Sequence, residues 1–370
     1  VRFFATAARG TEPALRDELR ELRFRGVRAE RGGVAFDGDI REGLRACLWS
    51  AVAMRVLLPV GELEAPTGDA LYEGIRELDV TPYLSPRTTL AVRAHAQQSA
   101  LSHTQFIAQR TKDALVDPLR ERLGVRPDVD RDDPDVRFFV HIVRDHVRLY
   151  VDLSGEPLHL RGYRVATLDA PLKETLGAAI VRLAGWDRAS PFHDPMCGTG
   201  TLAIEAALLA QGVAPGHRIR RFGAERWAGL GPEAQSLAHG LREEARARRR
   251  SGGPEILASD ADPRAVAATE QNAQAAGVTV RISPRHFHDL EPSTSPRTLA
   301  MNPPYGVRIA GEEGLYAAMA RVFAREKSST IALLAGNEAV ARALPRKPDR
   351  WHALWNGDIE CRLFLLDGAR

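Results

Sequence analysis

The chain has 370 residues, 44% of them hydrophobic and 27% charged, a balance that fits two globular domains of ordinary size, each able to bury its own core. Cys47, Cys197 and Cys361 are odd in number and far apart, which suggests neither a disulfide framework nor a zinc cluster. The net charge of +3 permits nucleic-acid binding without requiring it, and the longest apolar stretch, "LWSAVAMRVLLPV" from Leu48, is broken by Arg55 and too short for a bilayer.

No apolar signal-peptide core opens the chain, so a cytoplasmic protein is expected. Arg2 to Thr6 predicts a short strand, and Thr11 to Leu22 an amphipathic helix with Glu12 and Pro13 in its first turn. "GGVAFDGD" reads as a second strand, Ile40 to Ala53 as a helix and Met54 to Val60 as a strand, together a small α+β unit over residues 1–60. A second unit over 61–160 holds the alternating strand "TTLAVRAHA" and a helix to Leu123, opened by a Ser102 and Gln105 capping box. Ile107, Ala114 and Leu115 share one face of that helix. Its charged residues, Arg110, Lys112, Arg120 and Arg122, suit a solvated face first and RNA contact second. "VRFFVHIV" and "HVRLYVDLS" predict a hairpin with His146 near the turn.

"GEPLHLRGYR", Gly155 to Arg164, has little periodicity and reads as a connector. Arg161, Tyr163 and Arg164 in it suit interdomain packing and RNA contact equally. From about Ala170 the pattern becomes βα repetition over 165–370, which implies a mostly parallel sheet covered on both faces. Residues from Gly212 to Gly253 stand as an inserted loop and helix. The Arg246, Arg248, Arg249 and Arg250 cluster ends that helix, where cations are favoured. Asn356-Gly357 between strand-like runs predicts a closing hairpin.

The chemistry gathers at predicted strand ends. "DPMCGTGT", Asp194 to Thr201, hands a strand over to a helix, the ligand-binding edge of an open α/β sheet. Gly198 and Gly200 permit close backbone approach, and the helix opening near Thr201 presents free N–H groups to a carboxylate. The loop lacks both the dinucleotide fingerprint and the P-loop lysine, and its leading Asp194 disfavours phosphate. That arrangement suits the cation and amino group of S-adenosylmethionine, with Pro195, Cys197, Gly198, Gly200 and Thr201 around it; a tight structural turn is the competing reading. Asp260 closes the next strand, where a carboxylate can accept from ribose hydroxyls. Asp289 follows the third strand and suits the adenine amino group, or else a surface loop beside His286 and His288. No third ligand accompanies those histidines, so no metal is expected. "MNPPYG" then sets Asn302, Pro303, Pro304 and Tyr305 at the end of a fourth strand. Two prolines delete backbone donors and leave acceptors for an exocyclic amine, while Tyr305 offers a face for a base; a proline-rich turn would read alike.

Taken in order, these motifs resemble the class I amino-methyltransferases. "FFATAARGTEPALRDEL", "GGVAFDGD", "DLSGEPLHLRGYR", "APLKETLGAAIV", "DPMCGTGTL" and "NPPYGVR" look like the N-terminal half of the RlmL family of bacterial 23S rRNA guanine-N2 methyltransferases. The resemblance implies a ferredoxin-like portion and a THUMP RNA-binding domain, followed by a Rossmann-like methyltransferase domain. It also implies S-adenosylmethionine as cofactor, RNA as partner and no obligate protein partner. The longest family members continue into a second methyltransferase domain. Relatives of the same architecture modify tRNA, so tRNA is the alternative substrate. N6-adenine methylation of DNA and a non-catalytic assembly factor are the remaining alternatives.

Overall fold

A computed structural model describes residues 1–168, 171–304, 312–342 and 344–368. The N-terminal portion runs β1 (Arg2–Thr6), α1 (Glu12–Glu21), β2 (Arg25–Glu30), β3 (Gly33–Asp37), α2 (Ile40–Trp49) and β4 (Arg55–Glu64). This is the βαββαβ order of a ferredoxin-like unit, with strands arranged β2-β3-β1-β4. The next unit runs α3 (Gly68–Arg76), β5 (Thr89–Gln97), α4 (Thr104–Leu123), β6 (Asp128–Val129), β7 (Val136–Val143) and β8 (His146–Asp152). Antiparallel pairing of β4 with β8, Leu57 opposite Asp152 through Glu64 opposite His146, joins both units in one eight-stranded sheet.

Ile107, Ala114 and Leu115 are buried along α4 as their spacing implies. Its cap differs from the expected Ser102 box: the His103 ring accepts from the Phe106 N–H at 3.0 Å. Three elements of the N-terminal region escape sequence reading. β2 is an edge strand with no buried residue, α3 buries only Leu71 and Ile75, and β6 has two residues.

The C-terminal part holds α5 (Glu174–Leu183), β9 (Phe192–Asp194), α6 (Thr201–Ala210), α7 (Gly231–Ala247), β10 (Ile256–Asp260), α8 (Pro263–Ala276), β11 (Arg281–Pro284) and β12 (Thr298–Met301). It continues through α9 (Glu312–Arg325), β13 (Thr330–Ala335), α10 (Glu338–Arg342), β14 (Arg350–Asn356) and β15 (Ile359–Leu366). The seven-stranded sheet has the order β11-β10-β9-β12-β13-β15-β14, parallel except where β15 runs antiparallel to β13 and β14. This is a Rossmann-like α/β domain preceded by an α+β region. β11 begins at Arg281, later than the apolar run from Val278 suggests, since Val278 packs under the sheet before pairing starts. The closing hairpin forms with Asn356 paired to Ile359, so Gly357 and Asp358 make its turn.

The inserted segment packs away from the cleft, against the N-terminal region. Gly216 meets the backbone of Cys47 and Leu48, and the Trp227 indole meets the Tyr83 ring edge-on at 4.9 Å.

Candidate active site

β9 is flanked by β10 on one side and β12 on the other, so the chain leaves it in opposite directions and a crevice opens beyond the carboxyl ends of these strands. A cleft of about 660 Å³ lies there, lined by Asp194, Gly198, Asp260 and Asn302 among others. Pro195, Cys197, Thr201, Pro303 and Pro304 also line it, so the glycine loop and the Asn-Pro-Pro segment face one space. Tyr305 lies outside the described residues.

Asp194 closes β9 and is only 2% exposed. Its carboxylate accepts the Met196 N–H at 3.3 Å. Burial, reinforced by the nearby Asp260 charge, pushes its carboxyl up to about 8. Among the described residues no cation pairs with it, and a buried acid of this kind is what a cationic ligand would ionise. His193, next to it on β9, is buried against the Ser259 hydroxyl at 3.0 Å and is held neutral, its imidazole pushed down to about 3 by burial.

The glycine loop is tied from several directions. Cys197 N–H donates to the Ser259 carbonyl at 3.0 Å, and Gly198 N–H donates to Asp260 Oδ2 at 2.9 Å. Asp260 therefore props the loop while its other oxygen accepts the Asp262 N–H at 3.0 Å. The loop turns through left-handed φ values of +52° at Gly198 and +85° at Gly200. A Cβ on Gly200 would come within 2.7 Å of the Thr269 methyl. From α8, the Thr269 hydroxyl donates to the Gly198 carbonyl at 2.9 Å and Asn272 Nδ2 to the Thr199 carbonyl at 3.0 Å.

Arg164 completes the support. Its guanidinium donates to Glu174 at 2.8 Å, to the Thr199 hydroxyl at 2.7 Å, and to the Leu172 carbonyl and the Thr201 hydroxyl at 2.9 and 3.0 Å. Asn272 Oδ1 accepts the N–H groups of Val165 and Ala166 at 2.8 and 2.9 Å, which fixes the connector to the same loop. Sequence reasoning missed Thr269 and Asn272; the available signal was two polar residues three apart on the helix face that carries Ala265, Ala273 and Ala276.

Beyond β12, Asn302 Oδ1 is buried and has no hydrogen-bond partner among the described residues. An orphaned buried acceptor costs roughly 1–3 kcal/mol, and here it lies in a residue that lines the cleft. An incoming N–H donor would satisfy it.

Other expected residues fall elsewhere. Asp289 is exposed, sits 3.3 Å from His288 and does not line the cleft, because the short turn over Phe287–Asp289 buries Phe287 and turns Asp289 outward. Arg161 and Tyr163 are 1% and 0% exposed, which corrects the RNA-contact reading of both. Arg161 donates to the Ala51 and Leu158 carbonyls and lies 3.6 Å from Glu205, while the Tyr163 hydroxyl donates to Glu205 at 3.0 Å. Arg164 is likewise committed to the glycine loop. Arg110 pairs with Asp69 at 2.7 Å and covers the Tyr72 ring, so it joins α3 to α4. Lys112 pairs with Asp113 and lines a groove with Arg93, Phe106 and Arg131.

Three family models match the chain: a ferredoxin-like domain of RlmL over residues 2–57, the THUMP domain over 66–152 and the RMKL-like methyltransferase domain over 161–364. A ribosomal RNA large subunit methyltransferase K/L from Methylococcus capsulatus is 40% identical over 99% of this chain and 51% of its own length. The chain spans about half the length of the curated relatives it first matches. The crystal structure of SMU.472 complexed with SAH superposes with a TM-score of 0.88 at 30% identity, over 100% of this chain and 98% of that one. A predicted N6-adenine-specific DNA methylase from Listeria monocytogenes gives 0.88 at 31% identity, over 100% and 96%.

Proposed function

Since the chain belongs to the RMKL-like methyltransferase family, we propose that it is an S-adenosylmethionine-dependent RNA methyltransferase that forms N2-methylguanosine in 23S rRNA. The observation that carries this reading is Asn302 Oδ1, a buried acceptor without a partner among the described residues, in a residue that lines one cleft with Asp194 and Asp260. The names of the large-subunit relatives favour ribosomal RNA, and the SAH-bound neighbour favours the cofactor. Action on ribosomal RNA goes with a cytoplasmic location.

The residues fit the cofactor. Asp194 supplies a buried carboxylate for a cationic group, and Asp260 a carboxylate for ribose hydroxyls. The first N–H groups of α6, free of helical partners, would receive the carboxylate of the cofactor. When bound, S-adenosylmethionine supplies a methyl group on a sulfonium, open to direct displacement by an amine nitrogen. Asn302 accepts an N–H of the flipped guanine amine, with the Pro303 carbonyl as second acceptor, and so aims the nitrogen lone pair. Tyr305 supplies the stacking face. None of these groups is a strong base, so the contribution of the chain is positioning.

The test is transfer of a labelled methyl group to protein-free large-subunit rRNA and total tRNA in parallel, followed by nucleoside analysis. N2-methylguanosine in rRNA is the expected product. Label in tRNA alone would move the substrate to tRNA, and N6-methyladenosine would favour the chemistry for which the Listeria neighbour is named. Asn302→Ala should abolish transfer and leave cofactor affinity near wild type by calorimetry; retained turnover would remove Asn302 from its role.

A further inference from the structure

A second depression lies at the lip of the cleft, between the N-terminal region and the closing hairpin. It has a volume of about 500 Å³ and is lined by Arg9, Lys173, Trp355, Asn356, Gly357 and Asp358 among others. Asn356 lines the methyl-transfer cleft as well, so the two spaces adjoin at this residue.

The N-terminal side of this groove is built to place Arg9. The turn after β1 passes through Gly10 at φ +87°, and the Gly10 N–H donates to Glu12 at 2.8 Å. A Cβ on Gly10 would run into the Ala353 carbonyl, so the turn is docked on β14. The Arg9 guanidinium then lies 3.8 Å from the centre of the Trp355 ring. One face of that plane rests on the indole, and the residue as a whole is exposed. Lys173, the residue before α5, is exposed too. Among the described residues neither cation has an ion-pair partner, and Asp358 is the acidic residue lining the groove. An exposed Arg plane fixed on an aromatic ring, beside a lone ammonium, is the pairing that receives an unstacked base and a phosphate.

We propose that this groove seats the nucleotide adjoining the target in single-stranded RNA, with its base stacked on the open face of Arg9 and its phosphate drawn to Lys173. The proposal rests on RNA being the substrate. A base flipped into the cleft would carry its neighbour to the lip, and the groove adjoins the cleft there at Asn356. The turn after β1 thereby contributes to the active-site mouth, although it lies in a different unit from the cofactor loop.

The test uses the full chain and whichever RNA the wild type labels. It measures the RNA KM, kcat at saturating RNA, cofactor affinity and the salt dependence of RNA binding. Arg9→Ala should raise the RNA KM about tenfold, since a base stack is lost, while the cofactor affinity stays unchanged. Arg9→Lys keeps the charge but lacks the plane, and should recover only part of that loss. Lys173→Ala should weaken RNA binding and reduce the salt slope by about 0.7, one phosphate contact on a single strand. Thermal melts of each variant separate these effects from loss of fold, and both side chains are exposed. RNA KM and salt slope equal to wild type in Arg9→Ala and Lys173→Ala would overturn this proposal alone. A wild type that labels no RNA would remove it together with the reading on which it rests.

Discussion

Asp194 shows how one side chain can link binding, pH and stability. Its carboxyl is pushed up to about 8 by burial, with Asp260 adding to the shift, and a cationic ligand favours the ionised form, so binding releases a proton at lower pH. Affinity for S-adenosylmethionine should rise by up to about tenfold per pH unit below 8 and level off above it; calorimetry across pH 6 to 9 checks this, and a flat profile would contradict it. The sign for stability is opposite. The folded state holds this proton more tightly than the unfolded chain does, so stability falls as pH rises from the ordinary carboxylate range towards 8. Asp194→Asn should therefore raise the melting temperature at pH 8 while cofactor binding is lost. That Asp194, Gly198, Asp260 and Asn302 would share one cleft, with Gly200 turning the loop beside them, was legible because each stands at or just beyond a strand end. Asp289, Arg161 and Tyr163 were not: sequence does not say which side of a short turn faces a cleft, or that Glu205 waits one helical turn inside α6.

At the scale of elements, the glycine loop owes its shape to neighbours more than to its own sequence. Asn272 alone bonds two connector N–H groups, the Ala166 carbonyl and the Thr199 carbonyl. Asn272→Ala strands the buried Thr199 carbonyl, at roughly 1–3 kcal/mol, and three partly buried connector groups, and should lower the melting temperature and weaken cofactor binding together. Arg164→Lys keeps a charge beside Glu174 but loses the fork that reaches both threonines. It should weaken cofactor affinity severalfold, which a cofactor titration reads directly, and leave the RNA KM unchanged. The main strands and helices announced themselves through alternation and helical spacing. β2 and α3 did not, because an exposed edge strand and a helix with only two buried residues carry too little apolar periodicity to stand out.

Across the whole molecule, the units are joined too closely to behave as beads on a string. β4 and β8 share a ladder. Glu18 on α1 accepts from Ser50, Ala51 and Val52 and also meets Arg182 of α5 at 3.0 Å. The inserted segment buries Phe222 and Trp227 in the same core as Phe138 and Leu149. Heat should therefore unfold the chain in one cooperative step, and Trp227→Ala, a loss of about 3–5 kcal/mol of packing, should lower or split it in a calorimetric scan. The insertion was legible as an interruption of the βα pattern, but its purpose as a clamp became visible only in three dimensions. That clamp also sets a length. With the groove beside Lys112 and the pocket at Asn302 carried on one frame, an RNA substrate of the kind proposed above that touched both would have to bridge a fixed span, and a good target at the wrong distance would be refused.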